Sequence, residues 1–166
     1  MKNYAFIDWQ NLYQSLNWQL DYKKFRIYLK DKYKIEKAYY FIGFRWNENE
    51  LYEKLQESWF ILVFNIKWEN LKSNKKWNID TNLVFNVMKK IIHDNFDKIV
   101  LVSWDWDYKM LVDYLVEQNK FLKVIVPNLK FASSLYKNHN NLNSKYFANL
   151  DDLKQKFEYK KELPKH

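Results

Sequence analysis

Five short apolar runs punctuate the chain, at residues 4–7, 38–42, 60–64, 99–102 and 122–126. Each is too short for an ordinary helix and lacks polar alternation, which predicts strands buried on both faces. Longer segments with helical spacing lie between them. Leu83, Val84, Val87, Met88, Ile91 and Ile92 mark the clearest, and Met110, Leu111, Tyr114 and Leu115 mark a second. Trp46 stands where another helix opens, and residues 150–157 read as a closing helix before a charged tail, 158–166, that contains Pro164. Strands alternating with helices predict an α/β domain whose mainly parallel sheet is covered on both faces. The length of 166 residues suits one domain, placed at residues 1–157, and no repeat or second boundary interrupts it. The polar segment 69–78, with Lys72, Lys75 and Lys76, has no apolar period and is expected to form an exposed loop.

Composition narrows the class. An apolar content of 48% excludes intrinsic disorder, yet no apolar run approaches the length that crosses a bilayer. Asp8 falls where a signal peptide needs its apolar stretch, so a cytoplasmic location is expected. The absence of cysteine excludes disulfides and thiolate metal sites. The formal net charge is +8, and of the 28 basic residues all but Arg26 and Arg45 are lysine. Such an excess favours a polyanionic partner, held by charge rather than by base reading. An AT-rich genome, which favours lysine and asparagine codons, is the competing explanation.

The chemistry rests on carboxylates. Asp8 directly follows the first predicted strand, and Asp105 and Asp107 follow the fourth, in Ser103-Trp104-Asp105-Trp106-Asp107-Tyr108. In parallel α/β sheets, ligands bind beyond the carboxyl ends of the strands. Asp80 opens the strongest helix and is placed to point into the same crevice. Four carboxylates brought together repel one another unless a cation neutralises them. An all-oxygen donor set suits Mg2+ or Mn2+ better than Zn2+, and such an ion polarises a phosphodiester and activates water. Asp80 and Asp107, each just ahead of a helix, also read as N-caps, whereas Asp8 and Asp105 are harder to explain that way. Asn11 either caps the first helix or orients Asp8, and Ser103 is either a turn hydroxyl or a helper ligand. His93, His139 and His166 are scattered and read as structural or surface residues.

These motifs resemble those of the NYN domain family, a branch of the PIN-like nuclease superfamily. The family pattern is Asp-Gly-x-Asn after a first strand, a Lys-Gly-x-x-Asp segment before a long helix, and Ser-Gly-Asp-Gly-Asp-Phe/Tyr after a later strand. Here they read Asp8-Trp9-Gln10-Asn11, Lys76-Trp77-Asn78-Ile79-Asp80 and Ser103-Trp104-Asp105-Trp106-Asp107-Tyr108, with further likeness through Pro127-Asn128 and Ser134-Leu135. The resemblance spans roughly residues 3–155. It implies a PIN-like three-layer α/β/α (Rossmann-like) fold and a Mg2+- or Mn2+-dependent endoribonuclease site at Asp8, Asp80, Asp105 and Asp107. The implied substrate is RNA, single-stranded or in loops, with Lys72, Lys75 and Lys76 beside its phosphates. Where many relatives carry a further acid this chain has Asn86, which weakens one metal ligand.

Every glycine of those motifs is tryptophan here. An average chain of this length holds roughly 12 glycines, whereas this one has Gly43 alone and eight tryptophans. Trp9, Trp104 and Trp106 fall in strand-to-helix turns, and Trp46, Trp68 and Trp77 at other positions that favour glycine. Trp18 and Trp59 lie near segment boundaries. The pattern is that of a bacterial gene whose UGA codons specify glycine in the host and tryptophan in this translation; eight genuine tryptophans are the alternative. Genuine indoles at Trp9, Trp104 and Trp106 are expected to crowd the metal crevice. Two functional alternatives remain: a non-catalytic RNA-binding module of the same fold that stacks bases on its tryptophans, and a phosphohydrolase of another Rossmann-like family, disfavoured by Gln10 two residues after Asp8.

Overall fold

The computed structural model describes residues 1–65, 79–128 and 144–160. The lysine segment with Lys72, Lys75 and Lys76, together with Trp68, Trp77, Ser134, Leu135, His139 and His166, lies outside them. In chain order the elements are β1 (Asn3–Asp8), α1 (Trp9–Ser15), α2 (Tyr22–Tyr33), β2 (Ile35–Gly43), α3 (Asn49–Glu57), β3 (Ile61–Asn65), α4 (Ile79–His93), β4 (Ile99–Val102), α5 (Lys109–Glu117), β5 (Phe121–Val126), β6 (Phe147–Asn149) and α6 (Lys154–Phe157). Single 3-10 turns at Trp106–Tyr108 and Asp151–Leu153 lead into α5 and α6.

The six strands form one sheet in the order β3-β2-β1-β4-β5-β6, and each of its pairings is parallel. Alternate residues serve opposite faces. Tyr4, Phe6, Tyr39, Phe41, Leu101 and Val124 join Leu83 and Val87 of α4 and Leu111 and Leu115 of α5 in one core. Ala5, Ile7, Tyr40, Ile42, Val100 and Ile125 join Leu12 of α1, Phe25 and Leu29 of α2 and Leu55 of α3 in the other. The sheet therefore has helices on both sides, and its central strands are apolar throughout because both of their faces are buried. Fully buried Leu83 and Val87, one turn apart on α4, each contribute about 1.5–3 kcal/mol by leaving water.

Four details depart from the sequence reading. β3 is an edge strand and only partly buried, because nothing pairs beyond it among the described residues. Ile92 and Met110 are exposed, each falling just outside the buried stripe of its helix. The closing helix is shorter than expected, a 3-10 turn followed by the four residues of α6. Trp9 is a core residue rather than a surface turn residue, and Trp18, near a segment boundary, is an ordinary packed aromatic of the same core.

Trp59 differs from these two. It follows α3 with φ of 61°, in the left-handed region that favours glycine. The Trp59 N–H donates to the Gln56 carbonyl at 2.9 Å and the Phe60 N–H to the Leu55 carbonyl at 3.1 Å. This is the Schellman closure of a helix. Buried Arg26 fixes the turn by donating to the Trp59 carbonyl at 3.1 Å while also holding the carbonyls of Ile35 and Glu36.

Candidate active site

The strand order reverses between β1 and β4. From β1 the chain runs outward through β2 to β3, returns to β4 on the other side of β1, and then moves outward again. Adjacent strands whose connections leave in opposite directions open a crevice at their carboxyl ends. Ile7 pairs with Val102, so Asp8 and Ser103 emerge side by side at that crevice. The placement expected of Asp8, Asp105 and Asp107 thus follows from topology.

Asp8 is almost wholly buried, at 1% exposure. One carboxylate oxygen accepts the Asn11 backbone N–H at 3.2 Å, and the other accepts the Asn11 side-chain amide and the Tyr108 hydroxyl, the latter at 3.0 Å. Asn11 therefore orients Asp8, and Asp8 itself caps α1. Burial pushes the Asp8 carboxyl above its ordinary range, against the Asn11 and Tyr108 hydrogen bonds that favour the charged form; the Asp80 charge raises it further.

Asp80 lies on the first turn of α4, the helix that packs across β1 and β2. The Tyr108 hydroxyl reaches it at 2.8 Å. Partial burial raises the Asp80 carboxyl, Tyr108 opposes the rise, and the charges of Asp105 and Asp107 add to it. The Tyr108 hydroxyl is itself held far above its ordinary range, first by burial and then by the Asp8 charge, so it remains protonated.

Asp105 and Asp107 occupy the turn after β4. The Asp105 N–H donates to the Ser103 hydroxyl at 3.0 Å, and the Asp107 N–H to an Asp105 carboxylate oxygen at 2.9 Å. Ser103 is thus a turn hydroxyl. The capping roles are the reverse of those expected from the sequence: Asp8 and Asp105 cap helical turns, whereas Tyr108, not Asp107, holds the N-cap position of α5. Asp80 is already inside its helix.

Asp80, Asp105 and Asp107 each present an oxygen within 4.8 Å of the others. An ion bound at about 2.0–2.6 Å from each oxygen spans that separation, and the donors are the hard oxygens that Mg2+ and Mn2+ take. Asp8 stands outside this triad and joins it through Tyr108. Asn86 donates to the Asn82 carbonyl at 2.9 Å and to its side chain at 2.7 Å. Trp9 does not crowd the crevice: as the first residue of α1 it turns to the opposite core, where it stacks on Tyr13 at 5.0 Å. Trp106 borders a small recess shared with Asp105, Tyr108 and Lys109.

A larger concavity, about 940 Å³, lies apart from the acids, between α1 and the start of α3. Glu48 and Glu50 line it with Lys54 as their basic neighbour, a poor setting for phosphate. The converging carboxylates, not the larger volume, mark the site of chemistry.

An acidic crevice at the switch point of a parallel sheet with helices on both faces defines a Rossmann-like α/β/α protein whose converging carboxylates are able to hold a metal. The model of the NYN domain matches residues 4–144, and the chain belongs to that family, which places it among the PIN-like nucleases. The fold is similar to that of a Vibrio parahaemolyticus protein of unknown function, VPA0982, with a TM-score of 0.71 at 18% identity, over 91% of this chain and 93% of that one. No curated protein matches the sequence. No helix among the described residues is long and apolar enough to cross a membrane.

Proposed function

We propose that the protein is a metal-dependent endoribonuclease. The observation that carries this reading is the convergence of Asp80, Asp105 and Asp107 within 4.8 Å, with Asp8 tied to them by Tyr108, in a chain of the NYN family. Asp80, Asp105 and Asp107 hold Mg2+ or Mn2+, and Asp8 supplies the fourth carboxylate. The ion, when bound, polarises the scissile phosphodiester and activates water. Ser103 and Asn11 fix the geometry of Asp105 and Asp8. Lys109, which forms an ion pair with Asp113 and borders the recess beside Asp105, is a cation placed to meet a flanking phosphate. The net charge of +8 supports RNA as the polyanion, with Lys72, Lys75 and Lys76 adding phosphate contacts.

The test is cleavage of a single-stranded or loop RNA with Mg2+ or Mn2+, with and without chelator. Cleavage is expected to stop on chelation and in Asp105→Asn, which keeps the shape of the turn but removes a ligand charge. The loss should exceed the roughly 10–100-fold typical of an outer-shell partner, while RNA binding persists. Cleavage undiminished by chelator would eliminate the mechanism. One observation favours a second reading: Trp46 and Tyr13 expose most of their rings at the edge of the large groove, as base-stacking residues of a non-catalytic RNA-binding module do. RNA binding without cleavage under any metal would select it.

A further inference from the structure

Tyr108 is fully buried, yet its hydroxyl touches carboxylates from two elements, Asp8 at the end of β1 and Asp80 on the first turn of α4. It belongs to the 3-10 turn that Asp105 caps and that carries Asp107. Tyr108 therefore joins the Asp8 and Asp80 carboxylates directly and shares its turn with Asp105 and Asp107. Packing of the ring does not explain the hydroxyl, since a phenylalanine fills the same space with no polar atom to satisfy.

The two ends of the bridge are unequal. Asp8 is anchored independently by two Asn11 donors and by β1. Asp80 faces the like charges of Asp105 and Asp107, which push it outward unless something holds it. Tyr108 supplies that hold, referring Asp80 to the rigid Asp8 end. We infer that the Tyr108 hydroxyl is a positioning group, which keeps Asp80 beside Asp105 and Asp107 so that the three carboxylates are assembled before a cation arrives. The inference rests on the metal-binding reading above. Groups that orient ligands in this way typically set metal affinity by about 10–100-fold.

The experiment is Mn2+ titration of the full chain, following free Mn2+ by electron paramagnetic resonance, for wild type, Tyr108→Phe, Asp80→Asn and the Asp80→Asn/Tyr108→Phe double variant. Circular dichroism checks each fold. Tyr108→Phe is expected to weaken Mn2+ binding by about tenfold or more. In the Asp80→Asn background the same change should have no further effect, because the carboxylate that Tyr108 positions is already gone. If Tyr108→Phe does not fold, the Asp80→Asn pair still decides, since loss of the Asp80 charge relieves the repulsion from Asp105 and Asp107 that the hydroxyl opposes. Wild-type affinity in Tyr108→Phe overturns the inference, as does a further loss in the Asp80→Asn background. Failure of wild type itself to bind Mn2+ removes the metal reading and the inference together.

Discussion

Substituting Trp59 by glycine and by alanine separates backbone strain from side-chain packing at the end of α3. Both changes delete the same indole, whose ring is 62% exposed and whose described partner is Lys23, with Nζ 5.9 Å from the ring centroid. Lost packing therefore cancels in the comparison. The backbone does not, because Arg26 and the two turn hydrogen bonds hold φ at 61° whatever the side chain. Holding an L-residue there costs about 1–2 kcal/mol, while glycine gives back about 0.4–1 kcal/mol through its freer unfolded chain. The glycine variant should be the more stable by about 0.8 kcal/mol. In a domain of this size that is about 2–3 °C in thermal midpoint. The assay is thermal and urea unfolding of both variants in one buffer. An alanine variant as stable as the glycine variant, or more so, would refute the claim that this position requires a left-handed backbone.

Further outcomes concern charge, codons and salt. Asp8 and Asp80 hold their protons more tightly folded than unfolded, so the stability they contribute is full below the ordinary aspartate pKa of 3.8 and is lost as pH rises through their folded values. Metal-free Asp80→Asn should therefore unfold at a higher temperature than wild type at neutral pH, with the gap closing towards pH 4; a gap that widens on acidification contradicts the sign. The gene should carry UGA at positions 9, 18, 46, 59, 68, 77, 104 and 106, and peptides from the native host should carry glycine there; UGG codons would end the idea. RNA affinity should fall steeply as salt rises, because lysine-phosphate contact is its main source. A flat response would favour aromatic stacking.

The strands nearest the site were the most legible in the sequence. β1 and β4 are central, so both of their faces are apolar and the run itself is the signal. β6, three residues long, offers too few positions for any period. α2 went unannounced, although Phe25, Leu29 and Tyr33 form an i, i+4 stripe, because lysines interleave it and the buried Arg26 breaks the apolar pattern. The acids after β1 and β4 were visible because carboxylates directly after buried strands need a reason. Their division of labour was not. Which aspartate caps and which faces the crevice depends on where the turn closes, and the part played by Tyr108 depends on α4 crossing β1, a contact between residues far apart in the chain. The tryptophans split along the same line: Trp59 takes the left-handed backbone of a glycine position, whereas Trp18 is packed and donates to Asp151 at 2.9 Å. Trp9 is buried too, but its indole N–H finds no acceptor among the described residues, a defect of about 1–3 kcal/mol that glycine would lack.

β1 precedes the other five strands of the sheet in the chain and sits near the middle of it, between β2 and β4. A nascent chain that has reached β3 can pair β1 on one side only, and its Asp8 has neither Tyr108 nor Asp80 to face. The carboxylates meet only after the turn containing Asp105 and Asp107 has been made, roughly a hundred residues later, or about 5–20 s of synthesis. The strand order thus delays assembly of the acidic crevice until α4 and β4 have been made and have joined β1.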